Sequence, residues 1–202
     1  MHPQALHFTL FVKNLLPAFF KAVKVLDVGS GDINGNNRGL FSELISYDGN
    51  DVAPGKNVTI VSPTSKLPFS DATFDTIIST ECFEHDPEWE LSIKKIYSML
   101  RPGGLFCFTC ASTGRREHGT RRSLSHDSFG TKNNVEGWTD YYRNLTIQDI
   151  NSILPIKDSF SQFAAYYNAE SKDLYFWGIK TTEEPIVYST TEYSARGCVK
   201  TA

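Results

Sequence analysis

Glu81, Glu84 and His85 carry the densest chemistry in the sequence. In Glu81-Cys82-Phe83-Glu84-His85 they stand at i, i+3 and i+4, so on a helical turn all three project to one side. Two carboxylates and an imidazole converging at the end of a strand make half of a divalent-metal site. A second set lies upstream in Asp27-Val28-Gly29-Ser30-Gly31-Asp32-Ile33-Asn34-Gly35. Glycines directly after a hydrophobic run let a ligand approach the backbone at the switch point of an α/β sheet. The spacing is GxGxxxG, which departs from the GxGxxG of pyrophosphate-binding loops and counts against a dinucleotide. Asp51 ends the next apolar run 24 positions beyond Asp27. A carboxylate there can accept hydrogen bonds from both hydroxyls of a ribose.

Alternating apolar runs must position these groups. Phe8, Phe11, Val12, Leu15 and Phe19 mark one face of an N-terminal helix over 1–20, disturbed near Pro17. Residues 23–28 read as a strand, Leu40, Phe41, Leu44 and Ile45 as a short helical stripe, and 45–51 and 58–61 as further strands. Only residues 52–57 separate the last two. That is too short for a crossover helix, so the sheet edge is expected to be truncated there. The β-branched run 74–79 suits a strand buried on both faces. Asp86-Pro87 starts a helix that runs to Arg101, where Pro102-Gly103-Gly104 stops it, and 105–110 forms the next strand. A helix over 145–154 opens with Thr146 and Asp149 spaced as a capping box. Residues 159–167 and 173–180 form a terminal antiparallel pair. The reading is an α/β, mostly parallel, doubly wound sheet in one domain over 1–180, with a peripheral tail over 181–202.

With 202 residues, 40% of them hydrophobic and 21% charged, the chain can bury a core, and bulk disorder and coiled coil are excluded. No apolar run approaches the ~20 residues of a membrane span, and the 6–20 stretch lacks the flanks of a signal peptide. A net charge of −3 argues against wholesale nucleic-acid binding. Four cysteines are too few for a disulfide framework and fit a reducing, cytoplasmic setting. Cys107 and Cys110 spell CxxC inside a strand, where that spacing puts them on opposite faces and disfavours zinc.

Asp27-x-Gly29-x-Gly31, Asp51, Leu67-Pro68-Phe69-x4-Phe74-Asp75 and Leu100-Arg101-Pro102-Gly103-Gly104, in that order, resemble class I S-adenosylmethionine-dependent methyltransferases of the type 11-like group over roughly 23–110. The resemblance implies a Rossmann-like fold with S-adenosylmethionine as cofactor. Gly29, Ser30, Gly31 and Asn34 would line its methionine half, Asp27 would shape the loop, and Asp51 with Val52 would meet the ribose. Ser65 and Lys66 would touch adenine, and Thr80 would sit beneath the sulfonium. Arg38 is either a partner for the cofactor carboxylate or a solvated arginine. Ile33 replaces a third glycine common in the family, and 63–66 lacks the acidic residue that often meets the adenine amino group.

The ExxEH string resembles metal-dependent O-methyltransferases of this superfamily, including small-RNA 2′-O-methyltransferases. In those, a Mn²⁺ or Mg²⁺ grips the acceptor hydroxyls, which implies Glu81, Glu84, His85 and, from the later loop, His118 as ligands. Many metal-free relatives carry Glu-His at the same place, where the pair packs near the cofactor or faces solvent. Without metal, His85 or His118 is the candidate base, and Glu81 belongs to the same catalytic cluster. Residues 112–143 hold the basic stretch Arg115, Arg116, Arg121 and Arg122 with Tyr141-Tyr142-Arg143, readable as an acceptor lid or as a solvated loop. Several segments resemble methyltransferases encoded beside glycosyltransferases, some of them domains of glycan-synthesis proteins of large DNA viruses. A sugar hydroxyl of a glycan is therefore the expected acceptor and a glycosyltransferase a possible partner. RNA 2′-O-methylation and a non-catalytic module that docks a glycosyltransferase are the alternatives.

Overall fold

Phe74-Asp75-Thr76-Ile77-Ile78-Ser79-Thr80 is buried along nearly its whole length, as its β-branched content demands, and it lies inside the sheet. A computed structural model describes residues 2–202. Its strands are β1 (Lys24–Val28), β2 (Ser46–Asp51), β3 (Ile60–Val61), β4 (Phe74–Thr80), β5 (Leu100–Ala111), β6 (Phe160–Asn168), β7 (Asp173–Lys180) and β8 (Cys198–Lys200). They form one sheet in the order β3-β2-β1-β4-β5-β7-β6-β8. The first five are parallel to one another, while β7 pairs antiparallel with both β5 and β6. This is the mostly parallel, doubly wound sheet with a terminal antiparallel pair that the alternation of runs predicts, and β3 is the expected stub at the edge.

Two apolar layers cover the faces. On one side α2 (Trp89–Met99) buries Trp89, Ile93, Ile96 and Met99 beside α4 (Ile147–Ile153) and α5 (Ile156–Ser159). Burying each such side chain is worth roughly 1.5–3 kcal/mol. On the other side α1 (Pro3–Leu15) buries Phe8 and Val12 against Tyr166 and Tyr175. Cys107 belongs to one layer and Cys110 to the other, so the pair shares no site. Thr146 and Asp149 close the expected capping box, each side chain accepting from the other's backbone N–H. Among the described residues, no helix is long and apolar enough to cross a membrane.

Three local readings need correction. Leu40, Phe41, Leu44 and Ile45 do not form a helix: Arg38–Leu40 is one 3-10 turn, and Phe41 is extended while still buried against Phe20. The helix expected from Asp86 begins at Trp89, and Asp86 sits in the turn before it, one carboxylate oxygen accepting from Glu88 N and the other from Ser92 Oγ within the helix. It ends at Met99, and Arg101–Gly104 lie in a register shift at the start of β5. The 181–202 segment adds β8 to the sheet edge and packs buried Tyr193 on Phe8 and Phe11. The 112–143 segment carries one short helix, α3 (Phe129–Lys132).

Candidate functional site

Strand register builds the floor of the site. Val28 pairs with Asn50 on one side and Ser79 on the other, so the next residues, Gly29, Asp51 and Thr80, stand in a row along the carboxyl ends of three adjacent strands. All three line one cavity of about 190 Å³, with Ser30, Gly31, Asn34 and Val52. Gly29 has φ +71, a left-handed backbone that favours glycine, and the turn it makes donates Gly29 N and Ser30 N to Asn50 O. Asp27 lies buried beneath this loop. It accepts from the Tyr47 hydroxyl, from Asn37 Nδ2 at 2.8 Å and from Asn57 Nδ2 at 3.5 Å. Burial pushes its carboxyl up to about 6, and those donors hold it back from rising further. Asp27 thus braces the loop from beneath while also lining the cavity floor.

Asp51 accepts from Gly31 N at 2.9 Å and from its neighbour Val52 N at 2.8 Å. Burial raises it to about 6 against those two donors. Of the 63–66 segment expected beside adenine, only Thr64 faces the cavity. Thr64 lines the cavity and donates to Asn50 Oδ1 at 2.7 Å, whereas Ser65 and Lys66 turn away to Glu88. Arg38 also leaves the site. It is exposed and lies over the Tyr47 ring, 4.7 Å from its centroid, which takes up the cation that the sequence offers to a carboxylate.

The Glu81, Glu84, His85 and His118 group divides in two. Glu81 adopts φ +55 at the end of β4 and therefore leaves the helical turn. Only Phe83–His85 form the 3-10 turn. Its carboxylate points to the β5–β7 side, accepting from Thr109 Oγ1 at 2.8 Å and from His2 Nε2 at 3.1 Å; the same His2 nitrogen lies 2.9 Å from Asp173 Oδ2. Burial alone would lower the His2 ring and raise the carboxyls. The two acids outweigh it and lift His2 to about 10, while His2 and Thr109 hold Glu81 below its ordinary value. Arg115 adds a second cation, 3.3 Å from Asp173 Oδ1.

Glu84, His85 and His118 form the other group, each offering one ligand atom within 4.8 Å of the others. Glu84 is fully buried, and neither of its carboxylate oxygens nor either His85 nitrogen has a hydrogen-bond partner; the Tyr142 hydroxyl beside them is likewise unpartnered. Burial and then the Glu81 charge push Glu84 well up, and burial and then His118 push His85 down to about 3. His118 Nδ1 meets Arg116 O at 3.1 Å, which directs Nε2 elsewhere. Unsatisfied buried donors and acceptors of this number are rare without an ion or water, and a carboxylate with two imidazoles is a donor set for Mn²⁺ or a similar ion.

Of the expected acceptor groups, Arg115 and His118 line the cavity. Arg116 is exposed, Arg143 lies over Trp89 and pairs with Asp149, and Tyr141 packs on the core. Sequence reasoning missed His2, Asn37, Cys82, Asp86, Phe129 and Trp138, which also line the cavity. Asp86 was legible only as a cap. Phe129 and Trp138 are aromatics within the polar 112–143 segment, the one signal that could have singled them out.

Comparisons with known proteins agree with the geometry. A family model described as "Methyltransferase domain" matches residues 26–108. No curated protein matches. Among solved structures, a Burkholderia thailandensis 1,6-didemethyltoxoflavin-N1-methyltransferase with bound S-adenosylhomocysteine is 18% identical, with TM-score 0.59 over 88% of this chain and 80% of that one. A Haemonchus contortus phosphoethanolamine N-methyltransferase 2 in complex with S-adenosyl-L-methionine is 16% identical, with TM-score 0.58 over 88% of this chain and 53% of that one. YcgJ from Bacillus subtilis is 15% identical, with TM-score 0.58 over 90% of this chain and all of that one (100%). At these identities the structures establish the shared fold, that of Rossmann-like methyltransferases. The family match adds that residues 26–108 are similar to a methyltransferase domain.

Proposed function

We propose that this chain transfers a methyl group from S-adenosylmethionine to a sugar hydroxyl during glycan synthesis, with a divalent cation held by Glu84, His85 and His118. The observation that carries the transfer reading is the row of Gly29, Asp51 and Thr80 at three strand ends, opening into the cavity that His85 and His118 also line. The cofactor, when bound, supplies a methyl already activated on a sulfonium. The chain's own residues then have two tasks: to align the acceptor, worth ~7–11 kcal/mol in favourable cases, and to receive one proton.

Asp51 is placed to accept from ribose hydroxyls, and the Gly29–Gly31 backbone leaves room for the methionine half. Oxygen acceptors need a base or a Lewis acid. Glu84, His85 and His118 fit a cation by their orphaned atoms, and the cation would polarise the acceptor oxygen. In its absence His118 Nε2 is the atom that takes the proton, since Nδ1 faces Arg116 O. Arg115, itself neutralised by Asp173, is the cavity's guanidinium for an acceptor oxygen. The sugar acceptor and a glycosyltransferase partner rest on the sequence resemblance. Two of the structural relatives named above are N-methyltransferases.

The test is labelled methyl transfer from S-adenosylmethionine to a panel of oligosaccharides, RNA oligonucleotides and amines, with Mn²⁺ and with chelator. Gain of one methyl on a saccharide, lost in chelator and in Glu84→Ala, is expected. Methylation of RNA or amines alone would refute the acceptor, and full activity in chelator would refute the cation.

A further inference from the structure

The ring of Phe129, from α3 in the 112–143 segment, lies against Gly31 and Gly55. A Cβ on Gly31 would stand 2.7 Å from the ring's Cδ2 and Cε2, and one on Gly55 would fall inside contact distance of Cζ. Neither glycine has a positive φ, so what both positions lack is space for a side chain. The same Gly31 Cβ would be 2.8 Å from Asp51 Oδ2, so the ring and the carboxylate face the same patch of backbone. The cavity left beside it, about 190 Å³, falls below the roughly 300–1,000 Å³ of small-molecule sites. On the reading given above, Gly31 lines the methionine half of the cofactor and Asp51 meets its ribose, which puts the ring at the ribose end of the methionine half. The geometry points to Phe129 as an internal occupant of that end: the segment closes on the cleft by seating its own aromatic ring, and cofactor entry displaces it.

Which partner moves follows from how each is tied. The walls are pinned to one another. Asn57 Nδ2 donates to Ser30 O at 3.1 Å, Ser30 Oγ donates to Asn57 O at 3.2 Å, Asp32 N donates to Lys56 O at 3.2 Å, and Lys56 Nζ pairs with Asp32 at 3.0 Å. The segment instead closes on itself. Arg121 binds Asp140 and Asn134, Arg122 binds Glu117, and Asp140 N donates to Thr131 Oγ1. Its roots are fixed to the sheet by Ser112 N to Lys172 O and Leu145 N to Ala111 O, both 2.8–2.9 Å. Arg115 on Asp173 and Arg143 N on Glu84 O hold the stretches next to the roots, and between them the unit meets the body through His118 on His85 and through the Phe129 ring, so the ring can swing out while the slot stays built.

The experiment is calorimetric titration of S-adenosylhomocysteine into the wild type, Phe129→Ala and Gly55→Ala, with amide hydrogen exchange over 117–140. Gly55→Ala keeps the ring but denies it the slot, which separates emptying the slot from losing an aromatic contact. If the seated form holds about nine-tenths of the molecules, releasing it tightens apparent affinity about tenfold. Both variants should bind about five- to tenfold more tightly, and exchange in 117–140 should quicken when ligand joins the wild type, because a four-residue helix is not stable undocked. Weaker or unchanged affinity in the variants, or slower exchange with ligand, overturns the inference and leaves the cofactor reading standing. Absence of binding by all three proteins overturns both.

Discussion

Replacing His2 with alanine removes the imidazole that lies 3.1 Å from Glu81 Oε2 and 2.9 Å from Asp173 Oδ2. The Asp173 side chain is fully buried and that of Glu81 is 12% exposed, so the loss leaves two carboxylates facing each other with Arg115 as the remaining cation. The rise of the ring from 6.5 to about 10 corresponds to at most roughly 5 kcal/mol, at about 1.4 kcal/mol per tenfold. Arg115 compensates on Asp173, and the freed acids can protonate, so the expected loss is about 2–3 kcal/mol. A group that titrates higher folded than unfolded stabilises fully below its unfolded value and loses that effect as pH rises through its folded value. The deficit of the variant should therefore be complete near pH 6 and close toward pH 10. Urea denaturation of both proteins across that range measures it, and NMR titration of the wild type should find one imidazole still protonated well above neutrality. A His2 ring titrating near 6.5, with a variant of unchanged stability, would refute the reasoning.

Asp51→Ala should weaken S-adenosylhomocysteine about 10- to 100-fold by calorimetry, the range of one to two charge-assisted hydrogen bonds. In the wild type the same affinity should fall as pH drops through about 6, where the Asp51 carboxylate gains its proton; a flat profile from neutral to mildly acid pH would exclude that role. Thr146→Ala, which breaks the capping box of α4, should cost about 1 kcal/mol in chemical denaturation without altering cofactor affinity.

Much of the sheet was legible because its determinants are local. Val25-Leu26 ahead of Gly29, the β-branched run of β4 and the alternating breaks at 102–104 each fix a boundary within a few residues. The row of Gly29, Asp51 and Thr80 follows from those boundaries once the strands pair. What escaped depends on contacts distant in the chain. Phe41 and Leu44 share a helix's spacing, yet the chain there is extended because Phe41 finds its partner in Phe20. Glu81 carries the i, i+3, i+4 spacing with Glu84 and His85. Its own left-handed backbone turns it away from them and delivers it to His2, 79 residues away. Phe129 lies 98 positions beyond the glycine it covers, and no periodicity announces that meeting. Ser65 and Lys66, which the resemblance offers to adenine, are drawn off by Glu88, a contact 22 or more positions away that no local pattern reveals.

The central claim is that the crevice past Val28 binds a sulfonium nucleoside. A crystal of the wild type grown with S-adenosylhomocysteine tests it most directly. The account predicts the ribose on Asp51, the methionine chain along Gly29 and Ser30, and Phe129 withdrawn from Gly31. Solvent between Gly29 and Asp51 at millimolar ligand, with no heat in the matching titration, would contradict it.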